Sequence, residues 1–135
     1  MLAIDGDTLL VARGFGPAEK VRLIGIDAPE LGTHFGDLAR VWVDRQVRGR
    51  WVPMQVRGTD LYGRARAYAE VEGKDLAREL LMAGLARTLP FPHERAGTYL
   101  AAERVAQREE RGMWSPAEPR RSSRERGRRG ARRDR

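Results

Sequence analysis

Four short stretches of the sequence place carboxylates or arginines at turns, where a ligand can reach them. Residues 5–8 (DGDT) put two carboxylates and a hydroxyl around a flexible glycine, and residues 27–30 (DAPE) put two more across a proline turn. Arg22 lies in the apolar run before that turn, and Arg64 ends the loop of residues 60–64 (DLYGR). Carboxylates and arginines that meet in one place are suited to chemistry on a phosphate group.

This set of side chains meets the needs of phosphodiester hydrolysis. Carboxylates together with a backbone carbonyl are the hard oxygen ligands that Ca²⁺ or Mg²⁺ prefers. Two arginines can bind phosphate oxygens and offset the charge that builds on them in the transition state. A carboxylate can orient or deprotonate the attacking water, so the reaction requires no histidine.

Each stretch also has a purely structural interpretation. A DGDT run is typical of a tight turn, and DAPE is typical of a helix entry or a loop. Arg22 suits a solvated strand face, and Arg64 can simply pair with Asp60. His34 and His93 lack the spacing of metal ligands and are predicted to be surface or loop residues. Since the stretches are far apart in sequence, spacing alone does not bring them together.

The apolar pattern predicts the elements that must carry these residues. Predicted strands span residues 9–11, 21–26, 51–57, 65–71 and, for a short one, 85–88. Predicted helices span residues 36–48, about 76–81 and about 99–106, the last ending near Gly112. The tryptophans Trp42, Trp51 and Trp114 are predicted to lie in the core. Five or so short strands with interposed helices favour a small barrel over a parallel sheet.

Taken in order, the motifs resemble the staphylococcal nuclease (thermonuclease) family. They are DGDT at 5–8, RLIGIDAPE at 22–30, DLYGR at 60–64, GLA at 84–86 and a last helix closing on GMW at 112–114. The resemblance runs from about Ile4 to Trp114. It implies a mainly β fold with helices (α+β), namely a five-stranded OB-fold barrel with three α-helices, in one nuclease-like domain over residues 1–116.

The resemblance also implies a metal site and an activity. Asp7, Asp27 and the main-chain carbonyl of Ala28 would hold one Ca²⁺ ion, with Asp5 in its outer shell. The family hydrolyses phosphodiester bonds of DNA and RNA and leaves 3′-phosphates; the resemblance favours endonuclease action, while the sequence leaves exonuclease action open. Hard oxygen ligands by themselves accommodate Mg²⁺ or Mn²⁺ as well.

Roles for the substrate-binding residues follow from the same resemblance. Arg22 would bind the scissile phosphate, and Arg64 would stabilise the transition state and the leaving oxygen. Glu30 would hold the attacking water. Tyr62 would line the phosphate pocket, and Phe91 would stack on a base.

The chain departs from the family pattern at two places near the substrate. Leu61 stands where the family usually has a basic residue before the tyrosine, so one phosphate contact is missing. After residues 84–86 the family usually offers aromatic residues that stack on the base, whereas this chain has Pro90, Phe91 and Pro92. Stacking contributes roughly 1–3 kcal/mol per base, so these changes are expected to affect substrate affinity.

The positive charge of the chain is concentrated at its end. The segment 120–135 contains nine arginines and two acids, which accounts for the whole net charge of +7. It has no apolar residue larger than Ala131, so residues 117–135 are predicted to form a disordered arginine-rich tail. Such a tail is either a nucleic-acid tether or simply a solvated end. The rest of the chain is neutral and must concentrate its arginines in a site to act on a polyanion.

Composition excludes several classes of protein. The absence of cysteine excludes a thiolate nucleophile, a cysteine zinc site and disulfides. No apolar run is long enough for a predicted membrane span, and no signal-peptide pattern is present, although most relatives of this kind are exported. Only four residues precede Asp5, so the first strand is expected to be short or to begin upstream.

Three functional hypotheses remain. The first is an active nuclease, expected to be a monomer with DNA, RNA or both as partners and no small-molecule cofactor. The second is a catalytically inactive OB-fold module that binds nucleic acid with the help of its basic tail. The third is a domain whose tail recruits a protein or another acidic surface. A site that recognises the backbone accommodates both DNA and RNA.

Overall fold

A computed structural model of the chain describes residues 1–12 and 14–116. Within them the strands are β1 Leu2–Asp5, β2 Thr8–Val11, β3 Glu19–Leu23, β4 Ile26–Asp27, β5 Met54–Thr59, β6 Ala65–Val71, β7 Lys74–Asp75 and β8 Arg87–Thr88. The helices are α1 His34–Val47, α2 Leu76–Met82 and α3 Ala96–Arg108, followed by a 3₁₀ turn at Gly112–Trp114. The predicted α+β class with three helices is confirmed. The predicted disordered tail, residues 117–135, lies outside the described residues.

Six strands form the main sheet: five lie in the order β1-β2-β3-β6-β5, and the short β7 pairs with β6. Neighbours are antiparallel except for β3 and β6, which pair in parallel. This order, with its one parallel pair, is that of the OB-fold, a partly open Greek-key barrel. No strand pairing joins β1 to β5 within the described residues, so the barrel is open there. The strands β4 and β8 form a separate antiparallel pair.

The chain turns sharply between β3 and β4, at Gly25. A single strand was predicted over residues 21–26, and this prediction is wrong at residues 24–25, because β3 ends at Leu23, Gly25 has a φ of 82°, and Ile26 begins the separate strand β4. That left-handed conformation favours glycine. The ring of His93 also packs so closely on Gly25 that a Cβ atom there would overlap it. The turn leaves Arg22 in the main sheet and moves Asp27 into the β4–β8 pair.

The loop that follows Asp27 is fixed to the start of α1. The Thr33 hydroxyl caps the helix by accepting the Gly36 N–H at 3.1 Å, and it donates to the Glu30 carbonyl at 2.6 Å. A Cβ atom at position 36 would overlap that same carbonyl. The backbone of residues 27–30 is therefore held against the helix, which begins two residues earlier than predicted.

The core lies between the sheet and the three helices. Its largest fully buried side chains are Tyr99, Leu9, Leu23, Ile26, Leu76, Leu80, Leu81, Val21, Val43 and Val47. Trp42 packs against this core as predicted, but Trp51 is 98% exposed and its prediction is wrong. Val52 and Met54 pack on the core instead, and the alternation of an extended chain turns Trp51 outward. Within the described residues, no helix is long and apolar enough to span a bilayer.

Candidate active site

The turn between β1 and β2 carries a buried carboxylate, that of Asp7. Asp7 is 8% exposed, and its N–H donates to the Asp5 carboxylate at 3.0 Å. One Asp7 oxygen accepts the Ala28 N–H at 2.8 Å, and the other accepts the Thr8 hydroxyl at 3.2 Å. These bonds join the turn of residues 5–8 to the turn of residues 27–30, which the sequence separates.

The environment of Asp7 disfavours its negative charge. Burial, and after it the neighbouring Asp5 carboxyl, raise the pKa of Asp7 from 3.8 to about 6. The hydrogen bond from Ala28 and the positive charge of Arg22 act in the opposite direction but do not cancel these effects. A cation bound beside Asp7 would offset this unfavourable charge.

The guanidinium of Arg22 lies between the two predicted metal-binding carboxylates. Its Nη1 is 3.6 Å from Asp7 Oδ2, and its Nη2 is 3.8 Å from Asp27 Oδ1. Nη1 also donates to the Leu23 carbonyl at 3.0 Å and, more weakly, to the Asp7 carbonyl at 3.5 Å. The two carboxylates therefore converge on one point, although they come from different turns. Their distances from Arg22 exceed hydrogen-bond length, so a phosphate can still compete for this guanidinium.

The carboxylate oxygens of Asp7 and Asp27 near Arg22 are ligands of the kind that a hard cation prefers. Asp7 is buried, whereas the Asp27 side chain is 60% exposed, and both meet next to the main chain of Ala28. Among the residues that the structure describes, no three His, Asp or Glu side chains cluster as a complete metal site. The residues that could hold an ion here are Asp7, Asp27 and the main chain of Ala28, the set that the family resemblance predicts.

The loop of residues 60–64 is organised around the Asp60 carboxylate. One oxygen accepts the N–H groups of Tyr62 and Arg64, each at 2.9 Å, and the other accepts Arg64 Nε at 2.7 Å. Burial raises the pKa of Asp60, but these hydrogen bonds and the charge of Arg64 outweigh it and lower the pKa below its usual value. The loop therefore holds Arg64 by a charged pair.

Arg64 is both a partner of Asp60 and a residue of the site. Within the described residues only its Nε is engaged by a carboxylate, so its two Nη groups are available for a ligand. Its guanidinium lies 5.4 Å from the centre of the Tyr62 ring. Arg64 thus pairs with Asp60, as the structural interpretation predicts, and its Nη groups can still bind a phosphate.

One cavity of about 220 Å³ collects four of the predicted residues. It is lined by Arg22, Tyr62, Arg64 and Phe91, the last of which is 38% exposed. Arg22 belongs both to this cavity and to the group formed with Asp7 and Asp27. The cavity therefore places two arginines and two aromatic rings beside the converging carboxylates.

Glu30 is the one predicted catalytic residue that the structure does not connect to the others. Its side chain is exposed, and within the described residues its carboxylate forms no hydrogen bond or ion pair. Its position is set by the backbone contacts with Thr33 and Gly36. Its role in holding water stays a prediction.

Two residues near the site were missed or misjudged from the sequence. Arg66 lines the same cavity as Arg64 and was not singled out, although it lies in the predicted strand 65–71. His93 lies in a loop as predicted but is half-buried, and its Nδ1 is 2.8 Å from the Tyr68 hydroxyl. Burial and the nearby charge of Arg66 lower the pKa of His93.

Comparison with known proteins identifies the family. The family model described as staphylococcal nuclease homologue matches residues 20–116, and the chain belongs to this family. An uncharacterized endonuclease of Haemophilus influenzae is 30% identical, over 85% of this chain and 64% of its own length. A probable endonuclease LCL3 of Clavispora lusitaniae is 38% identical, over 70% of this chain and 47% of its own length. The thermonuclease of Staphylococcus intermedius is 29% identical, over 82% of this chain and 71% of its own length. The chain thus spans less than two thirds of the first two relatives.

Proposed function

We propose that this chain is a calcium-dependent nuclease that hydrolyses phosphodiester bonds of DNA, RNA or both, cutting within the strand and leaving 3′-phosphates. One observation carries the proposal: Arg22 lies within 4 Å of the Asp7 and Asp27 carboxylates and lines the same cavity as Arg64. Family membership and the names of the relatives, endonucleases and a thermonuclease, support the same reaction.

The metal would be held by the Asp7 and Asp27 carboxylates and the Ala28 carbonyl. Bound there, Ca²⁺ would supply Lewis-acid polarisation of the phosphate. The chain's own contribution is to keep Asp7 out of water and to hold both turns together through the Ala28 N–H. This pre-organises the two carboxylates before any ligand arrives.

The arginines and Glu30 would carry out the steps on the phosphate. Arg22 would bind the non-bridging oxygens, and Arg64 would offset the charge that grows on them and on the leaving oxygen. Water would add to phosphorus as its proton passes to the Glu30 carboxylate. The bond from phosphorus to the 5′-oxygen would then break, and that oxygen would take a proton from solvent.

The first test is release of acid-soluble nucleotides from single-stranded DNA. Wild type is assayed with Ca²⁺ and again with excess chelator, beside Arg64→Ala and the control Arg104→Ala. Arg104 is exposed on α3 and does not line the cavity. We expect release that requires Ca²⁺, is unchanged in Arg104→Ala, and falls by about 10²-fold or more in Arg64→Ala.

The same assay distinguishes the proposal from a module that only binds. If folded wild type released no nucleotides with Ca²⁺, Mg²⁺ or Mn²⁺, the enzyme would be ruled out. Binding of the DNA in that case would leave the inactive OB-fold module as the function. A release that survived Arg64→Ala would place the chemistry elsewhere in the chain.

A further inference from the structure

Arg66 lies beside the phosphate-binding arginines in the main sheet. In the parallel pairing of β3 with β6, Arg66 is the register partner of Arg22. It also lines the cavity that contains Arg22 and Arg64. Its Nη1 donates to the Arg57 carbonyl at 3.2 Å, a bond that fixes the side chain without neutralising it.

The charge in this cavity is not balanced. Three arginines line it, and Asp60 is the one acidic residue among the described residues that does so. Asp60 is already bound to Arg64 at 2.7 Å. The nearby Arg57 is paired with Glu94, also at 2.7 Å, whereas Arg66 has no carboxylate partner within the described residues. A half-buried guanidinium next to two others is stabilised by an anion that comes from outside.

We propose that Arg66 is a second phosphate-binding residue, which takes the phosphate adjacent to the scissile one. The inference rests on the proposed nuclease function and deepens it, because it assigns a site for a second phosphate. Arg22 and Arg64 act on the phosphate that reacts, next to the carboxylates. Phe91, the proposed base-stacking residue, lines the same cavity, so a nucleotide bound there would bring its next phosphate close to Arg66. The chain therefore favours substrates with at least two phosphates.

The test removes the arginine and the phosphate separately and together. Wild type, Arg66→Gln and Arg66→Lys are assayed on three thymidine dinucleotides: one with only its internal phosphate, one with an added 5′-phosphate and one with an added 3′-phosphate. For wild type, we expect one added phosphate to lower KM by about tenfold, the effect of one charged hydrogen bond. Arg66→Gln should abolish that gain, impair cleavage of the singly phosphorylated dinucleotide less than that of the doubly phosphorylated one, and be partly rescued by lysine.

A merely structural role for Arg66 gives a different pattern. Loss by the same factor on all three dinucleotides, or a wild type indifferent to both added phosphates, would overturn the proposal. Thermal unfolding of each variant checks that it is folded. On a longer single-stranded oligonucleotide, Arg66→Gln should also reduce the slope of log affinity against log salt by about 0.7, the value for one lost contact. A control variant, Arg104→Gln, should leave KM and slope unchanged.

Equilibrium binding separates this inference from the proposed function. The three dinucleotides are titrated calorimetrically against wild type and Arg66→Gln without divalent ions, so that no cleavage occurs. If wild type binds the doubly phosphorylated ligand more tightly and the variant does not, Arg66 is the second site even when no cleavage is found. If wild type cleaves but the added phosphate changes neither KM nor the binding affinity, the proposed nuclease function is retained and this inference is wrong.

Discussion

Among single residues of the candidate site, Asp7 is the buried carboxylate. Its pKa is raised from 3.8 to about 6, so the folded chain favours the protonated form more than the unfolded chain does. Preferential binding of the proton by the folded chain stabilises it. This stabilisation is fully present below pH 3.8, the pKa in the unfolded chain, and is lost as the pH rises through about 6, the pKa in the folded chain. At neutral pH the ionised Asp7 therefore lowers the free energy of unfolding.

Replacing Asp7 by asparagine is accordingly expected to stabilise the protein in the absence of metal. The amide oxygen can still accept the Ala28 N–H, and the amide nitrogen can donate to the Thr8 hydroxyl. At pH 7.5 with chelator, we expect the free energy of unfolding to rise by roughly 3 kcal/mol, because the pKa is raised from 3.8 to about 6 and one pKa unit corresponds to about 1.4 kcal/mol. Urea unfolding followed by tryptophan fluorescence measures it.

The same variant tests the proposed metal site. Added Ca²⁺ should raise the unfolding midpoint of wild type, because a ligand that binds only the folded state stabilises it. Asp7→Asn should lose most of that increase, together with nuclease activity. At pH 4 the stability difference between the two proteins should shrink. If Asp7→Asn were less stable than wild type at pH 7.5, the ionised carboxylate would be a structural necessity and this account would be wrong.

The spacing of residues in the sequence does not predict that the site residues lie close together in the fold. Asp7 and Asp27 are twenty residues apart, and long-range contacts, among them those of the Ala28 N–H and Arg22, bring them together. The family resemblance gave their expected roles, whereas residue types alone left a turn as the alternative. Arg66 shows the reverse case. The sequence predicts the strand that contains Arg66. Its place beside Arg22 depends on the pairing of β3 with β6, a long-range contact that the sequence pattern does not show.

Among the elements, the turn at Gly25 has the largest influence on the site. It separates β3, which carries Arg22, from β4, which carries Asp27. The Gly25 carbonyl accepts the Leu89 N–H at 3.0 Å, and the His93 ring covers its Cα. His93 in turn lies edge-to-face with Phe91, their ring centres 5.8 Å apart. The turn therefore supports the loop that carries the proposed base-stacking ring.

A matched pair of glycine substitutions tests this role. Gly25→Ala should lower the free energy of unfolding by at least about 2 kcal/mol, because the backbone has a positive φ and the new methyl group collides with His93. Gly97→Ala, in α3 with open space around it, should instead raise stability by about 0.5–1 kcal/mol. Urea denaturation at pH 7.5 compares the two with wild type. A Gly25→Ala protein as stable as wild type would show that the loop containing His93 can move away without lowering the free energy of unfolding.

The elements also show where a sequence pattern reaches its limit. The apolar run of residues 21–26 has the composition of one continuous strand, and its break at Gly25 is accompanied by long-range contacts with His93 and Leu89. Trp51 illustrates the same limit, since its size predicts burial while its place in the alternation with Val52 and Met54 decides its exposure. The three helices were predictable because their apolar periodicity is local.

For the whole molecule, the distribution of charge separates recognition from chemistry. The net charge of +7 resides entirely in residues 120–135, and the remaining chain is neutral. A neutral body generates little long-range attraction for a polyanion, so its arginines act only at contact distance, inside the cavity. The arginine-rich end is then the part suited to collect nucleic acid from solution.

Deleting residues 120–135 should therefore change affinity and leave turnover intact. We expect kcat on a single-stranded oligonucleotide to stay within about twofold, since no residue of the cavity is touched. KM should rise at low salt, and the slope of log affinity against log salt should become smaller by up to about 6 if all nine arginines engage phosphates. Initial rates at several salt concentrations measure both quantities. If the truncated chain kept its KM and its slope, the tail would be a solvated end with no part in substrate capture. If it lost kcat instead, the arginines would have to reach the site, and a neutral body would not suffice for the chemistry.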